Sequence, residues 1–270
     1  MKLSDYNIIY LNLDKRTDRR KLMEEQLNKY KIEANRISAI NGKKLKNKEY
    51  RLKISKQLKI PEEKLRVSYW MNRSNFKTMI CQTDLVLGRV GCFLSHLKIM
   101  KYAIDNNLTN ILVLEDDVNF LKDNINNNIE PPEDADICYL GGMFWHLKAE
   151  QEKILNQWIK INPNLLKILC TYSYLIHNKK TILDIYNLCM SCFIDGKGHD
   201  KSPLWRKGIM KMRAQSIDFT YINYFQKLGT CYIINPVMFY HNEDMGSDIS
   251  PQYGKSAKKK WKHSYFYDDI

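Results

Sequence analysis

Apolar and polar positions along the chain alternate between short apolar runs and stretches with helical spacing, the pattern of a layered α/β protein. The run Tyr6 to Leu13 (YNIIYLNL) is rich in branched and aromatic residues and predicts a buried strand. Thr17 or Asp18 then offers a cap for a helix in which Leu22, Met23 and Leu27 recur at helical spacing as far as about Tyr30. A second strand is expected at Ala34 to Ile40, closed by the turn pair Asn41-Gly42. Residues 43–85 are polar, basic and weakly periodic, and read as an insertion of short helices or a loop over the sheet edge. From Gly88 to Asn106, Phe93, Leu94, Leu97, Met100 and Ile104 trace one helical face. Asn110 to Leu114 is too short and too apolar for a surface helix, and it runs straight into Glu115, Asp116 and Asp117. Further strands are expected at Ala135 to Leu140, Thr171 to His177 and Cys231 to Ile234. Helices are expected at Lys179 to about Met190 and at Ser216 to Lys227, the latter stopped by Gly229. No repeat and no linker divides the chain, so residues 1–270 read as one domain with the basic insertion at about 43–85 and a basic tail at about 254–270.

Composition supports a folded core without disulfides. Of 270 residues, 44% are hydrophobic, and 11 Gly with 7 Pro are too few for a collagenous or low-complexity chain. No run of eighteen uncharged apolar residues occurs, and the first residues lack the apolar block of an export signal, so neither a membrane span nor secretion is expected. Seven cysteines, an odd number among apolar neighbours, suit a reducing, cytoplasmic compartment. Cys189 and Cys192 form a lone C-x-x-C and read as buried thiols on a helix. The net charge of +13 attracts polyanions, phosphorylated small molecules or, through the basic segments, an anionic membrane surface. These segments do not interleave aromatics as a single-strand nucleic-acid surface does, so no nucleic acid is expected, and a polyanion-binding protein with a structural acidic turn stands as the alternative.

Three consecutive acids at the carboxyl end of a buried strand are costly unless a cation neutralises them, and in open α/β sheets ligands bind beyond that end. In an extended chain Glu115 and Asp117 share one side and Asp116 the other, so the first and third acids can face one divalent ion or its phosphate ligands. A solvated acidic turn is the plainer reading of the same residues. A metal-dependent phosphoryl-transfer enzyme would use these acids too, but the chain lacks a Gly-rich phosphate loop with its lysine.

Several short blocks in series give the acids a context. They are Ile9 to Arg20 (IYLNLDKRTDRR), Arg36 to Gly42 (RISAING), Gly88 to Ile99 (GRVGCFLSHLKI), Val113 to Val118 (VLEDDV), Asp136 to Gly141 (DICYLG), Thr171 to Ile176 (TYSYLI), Ser216 to Phe219, and Ser247 to Ile249. In this order and spacing the chain resembles glycosyltransferase family 25, which contains lipooligosaccharide and procollagen galactosyltransferases. The resemblance implies a GT-A type α/β fold with a mixed sheet flanked by helices. It also implies a divalent cation, Mn2+ or Mg2+, a UDP-hexose donor, a glycan, glycolipid or protein acceptor, and inversion at the sugar carbon. Asn12, Asp14, Arg16 and Arg19 would then lie near the donor's base, ribose and phosphates, with arginine forks suited to phosphate. Solvation of the first helical turn is the other use of the arginines. Gly91 would let backbone approach the donor at a helix start, while Ser95 and His96, inside the helix, read as structural or orienting residues. Asp116, Ser247 and Asp248 join the donor site, and Asp117, Glu115 and His241 the metal. Asp218 is the candidate general base or acceptor binder, with helix capping as its competing role.

Overall fold

The computed structural model describes residues 2–73, 83–121, 129–145, 157–162, 164, 167–193 and 216–249. The tail at 254–270, residues 74–82 of the insertion and Cys81 lie outside the described residues. Strand β1 (Asn7–Asn12) leads into α1 (Thr17–Lys29) and β2 (Asn35–Ser38). The insertion holds a 3-10 turn at Gly42–Lys46, then α2 (Lys48–Leu58) and α3 (Val67–Arg73). The long helix α4 (Thr83–Asp105) feeds β3 (Ile111–Glu115) and β4 (Val118–Phe120), followed by β5 (Ile137–Tyr139), β6 (Met143–Trp145), β7 (Gln157–Lys160), β8 (Lys167–Leu169) and β9 (Ser173–Ile176). The chain continues through α5 (Lys179–Ser191) and α6 (Ile217–Tyr221), which runs on as a π-helical turn, to β10 (Cys231–Asn235) and β11 (Phe239–His241).

Seven strands form one mixed sheet in the order β2-β1-β3-β9-β5-β10-β7. β2, β1 and β3 are parallel neighbours, as are β5 and β10, while β9 and β7 run against their partners. The period of two along the strands sorts side chains into two cores. Ile9, Leu11, Ile111 and Val113 pack in one core with Phe93, Leu97 and Met100 of α4. Ile8, Tyr10, Leu112 and Leu114 face the other way and pack in a second core with Met23 and Leu27 of α1. The sheet is therefore covered on both faces, the mixed α/β architecture expected from the sequence.

Several local expectations change. Leu22 is 40% exposed, so α1 is held by Met23 and Leu27 alone among its predicted anchors. The helix starts at Thr17 with Arg16 in the capping position and no side-chain cap, since a guanidinium has no acceptor to offer and donates instead to the Asp18 carboxylate. The insertion belongs to the core: Leu45, Ile54, Leu58, Leu65 and Trp70 are buried with α4. Gly91, expected at a helix start, lies inside α4, where a Cβ would come within 2.6 Å of the Gly42 amide nitrogen and the Ile40 carbonyl oxygen. The glycine serves close packing of α4 on the turn after β2. Both cysteines of the C-x-x-C are buried thiols at the end of α5 and form no disulfide.

Candidate active site

The parallel register aligns Leu11 of β1 with Glu115 of β3 and Asn12 with Ser38 of β2, so three strands end at one level. Beyond these ends lies a cleft of about 720 Å³, including its open mouth. One wall is formed by Leu11, Leu13 and the turn Ala39–Lys43, another by α4 through Gly88, Cys92, Ser95 and His96, and the floor by Glu115, Asp116 and Asp117. The Ser95 hydroxyl braces two of these walls, accepting from the Ile40 backbone N–H at 2.8 Å and donating to the Gly91 carbonyl at 2.6 Å.

The three acids do not alternate as an extended strand would place them. β3 ends at Glu115 and the next two residues form a turn, so Asp116 and Asp117 swing to the same cation. Arg19, buried on the first turn and a half of α1, reaches Asp116 Oδ1 at 2.8 Å and Asp117 Oδ2 at 2.9 Å. Asn12 Nδ2 donates to Asp116 Oδ2 at 2.6 Å, and His241 Nε2 lies 3.3 Å from Asp117 Oδ2. Burial lifts the Asp116 carboxyl to about 6 against the pull of Arg19. Burial pushes Asp117 the same way, but the His241 hydrogen bond and the charges of His241 and Arg19 win and hold it below the usual range. His241 shows the mirror image: burial lowers it, and Asp117 more than compensates, leaving it raised. The pair joins a half-buried imidazole to a buried carboxylate whose Oδ1 has no hydrogen-bond partner.

Glu115 turns elsewhere. Its Oε1 accepts the Thr171 hydroxyl at 2.9 Å and stands 3.3 Å from His96 Nε2. The His96 ring is fully buried, with Nδ1 2.8 Å from the Tyr174 hydroxyl.

Of the residues expected to bind donor, Arg19, Glu115, Asp116, Ser247 and Asp248 line the cleft. Asn12, Asp14, Arg16 and Gly91 are not among its lining residues. Arg36 ties Asn12 Oδ1 to Asp14, while Arg16 donates to Asp248 Oδ2 at 2.6 Å and to the Met245 carbonyl at 3.0 Å. With Lys15 on Asp248 Oδ1 at 2.6 Å, this pins the 245–249 segment across the mouth of the cleft. Asp218 is not among the lining residues; its carboxylate accepts the Phe219 backbone N–H within the first turn of α6. Sequence reasoning missed Lys15, Lys43 and the backbone of Ala39–Gly42 as lining groups. The Asn41-Gly42 turn was the signal available for the last of these.

A family model described as glycosyltransferase family 25 (LPS biosynthesis protein) matches residues 6–188, a span that includes β1 and the whole cleft floor and ends within α5. The chain belongs to glycosyltransferase family 25. Within curated relatives, procollagen galactosyltransferase 2 of Homo sapiens is 29% identical over 165 residues, covering 57% of this chain and 24% of that protein. A glycosyltransferase 25 family member of Drosophila melanogaster is 29% identical over 119 residues, covering 44% of this chain and 17% of that protein. This family 25 chain thus spans at most about a quarter of the length of these relatives. Among solved structures, a glycosyltransferase involved in the glycosylation of the major capsid of PBCV-1 is 11% identical, with coverage of 87% and 91% and a TM-score of 0.39, too distant to bear on the site. No helix among the described residues is long and apolar enough to cross a membrane.

Proposed function

We propose that the chain is a metal-dependent inverting glycosyltransferase, moving galactose or glucose from a UDP-sugar to a hydroxyl of a glycan, a glycolipid or a collagen-like hydroxylysine. The single observation that carries this reading is the buried Asp117 Oδ1, a carboxylate oxygen without a partner at the carboxyl end of parallel strands. Leaving such an oxygen unpaired costs free energy unless a ligand completes it. The likeness to procollagen galactosyltransferases favours galactose among the hexoses.

The donor set fits a hard divalent ion, Mn2+ or Mg2+. Asp117 and His241 would hold it with Asp116 beside them, while Glu115 is already engaged by His96 and Thr171. When bound, such a cation neutralises diphosphate oxygens and the charge that builds on a leaving nucleotide. The chain's own groups supply the rest. Lys15 and Lys43 at the cleft wall offer ammonium donors to phosphate, and Leu11, Leu13 and the Ala39–Gly42 backbone offer an apolar slot edged by peptide groups for the nucleoside. Asp218, which lies outside the cleft lining at the start of α6, is assigned the proton of the acceptor hydroxyl as that oxygen attacks the sugar carbon opposite the departing diphosphate.

Incubation of the purified chain with UDP-galactose, UDP-glucose and other nucleotide sugars, with Mn2+, Mg2+ or chelator, tests the proposal. The expected result is slow Mn2+-dependent hydrolysis of one UDP-hexose. Asp117→Asn is expected to lower it by roughly 100-fold or more, because a cation at a developing charge supplies several kcal/mol. No donor binding or turnover with any metal, together with an indifferent Asp117→Asn, would refute it.

A further inference from the structure

Cys92 and His96 lie one helical turn apart on α4, so both side chains leave the same face, and the end of β3 presents Glu115 to them. The Cys92 sulfur, a His96 ring nitrogen and a Glu115 oxygen all fall within 4.8 Å of one another, and His96 Nε2 is the nitrogen 3.3 Å from Glu115 Oε1. All three residues line the cleft. Around them the outer contacts are complete. Tyr174 holds His96 Nδ1, Tyr221 donates to the Tyr174 oxygen at 3.2 Å, and the Thr171 hydroxyl fixes Glu115. Outer partners of this kind set ring orientation and ligand basicity at metal centres.

We propose that Cys92, His96 and Glu115 form a second cation site, for a thiophilic divalent ion of the zinc class, sharing no ligand with the Asp117–His241 pair. Sulfur, imidazole and one carboxylate are the donors such ions select, whereas Mn2+ and Mg2+ favour all-oxygen or oxygen-rich sets. Three protein ligands with the fourth position toward a cleft make an open site, able to take water or a ligand atom. On binding, the Cys92 S–H bond breaks, its proton goes to solvent and the sulfur's electron pair forms the bond to the metal. Metal binding at Nε2 requires the tautomer with the proton on Nδ1, which the Tyr174 oxygen would accept. No oxidant or reductant takes part. The C-x-x-C at the end of α5 is not part of the site, because among the described residues Cys189 and Cys192 belong to no cluster of three ligating groups.

Cobalt(II) titration of the reduced, metal-free full chain tests the site without any nucleotide sugar, so its outcome is separate from that of the glycosyl-transfer assay. The expected result is a thiolate-to-cobalt charge-transfer band that saturates with one Co2+ bound at the thiolate, displacement of that ion by Zn2+, and release of the thiol proton. Cys92→Ser loses the band, and Glu115→Gln weakens Co2+ binding by about tenfold or more. Cys189→Ser and Asp117→Asn leave the band intact. Absence of the band, its survival in Cys92→Ser, or its loss in Cys189→Ser overturns the assignment. Circular dichroism checks each variant's fold. If Cys92→Ser does not fold, Cys92→Ala and Glu115→Gln carry the same two outcomes.

Discussion

The two flanks of the cleft floor are adjacent in sequence and differ in chemistry. On one, Asp116 and Asp117 share the buried Arg19 guanidinium, and the bonding is incomplete: both Asp117 Oδ1 and Arg19 Nε lack partners. On the other, Glu115 sits in a closed set with His96, Thr171 and Tyr174. A strand end between residues 115 and 116 creates the difference, since the turn carries the second and third acids away from the first. The lesson is that the number of carboxylates does not locate a ligand. Among the three acids, only Asp117 leaves a buried oxygen without a partner, and the hard cation is assigned there for that reason.

The largest effect that can break this contrast is Arg19→Met. It leaves two buried carboxylates without their shared cation, and a loss of about 3–5 kcal/mol in urea unfolding is expected. Mn2+ is expected to restore part of that loss, as a second cation takes over the neutralisation. A variant within about 1 kcal/mol of the parent would show that Arg19 is ornamental to the acidic pair. A smaller effect is expected on the other flank. Thr171→Val removes one hydrogen bond to a carboxylate that keeps His96, and costs about 1–2 kcal/mol by the same unfolding measurement. If the two losses proved equal, the flanks would not differ as described.

Much of the fold is legible in the sequence because buried strands in a doubly covered sheet are continuous apolar runs. β1, β3, β5, β9 and β10 all announce themselves in this way. The three-residue strands β4, β6, β8 and β11 are too short to carry a period, and their pairing is decided by chain segments far away, as in Phe239 against Phe120. α4 begins earlier than its glycines suggest because Gly91 answers a packing need against Gly42 and not a turn. In the site, the acids, Arg19 and His241 were visible as residue types. The clamp between Arg19 and two aspartates 97 and 98 positions away was not, because nothing local encodes it. Asn12 and Asp14 were recognised as important positions, yet their side chains are spent on Arg36 and Asp116. Alternation along β1 sends Leu11 and Leu13 to the cleft in their place.

Electron paramagnetic resonance of Mn2+ in the presence of UDP tests the central claim most directly. Titrating the parent chain, Asp117→Asn and Glu115→Gln side by side should show bound Mn2+ in the parent and in Glu115→Gln, and free Mn2+ with Asp117→Asn. Undiminished binding by Asp117→Asn, or loss in Glu115→Gln alone, would contradict the assignment of the hard cation to Asp117.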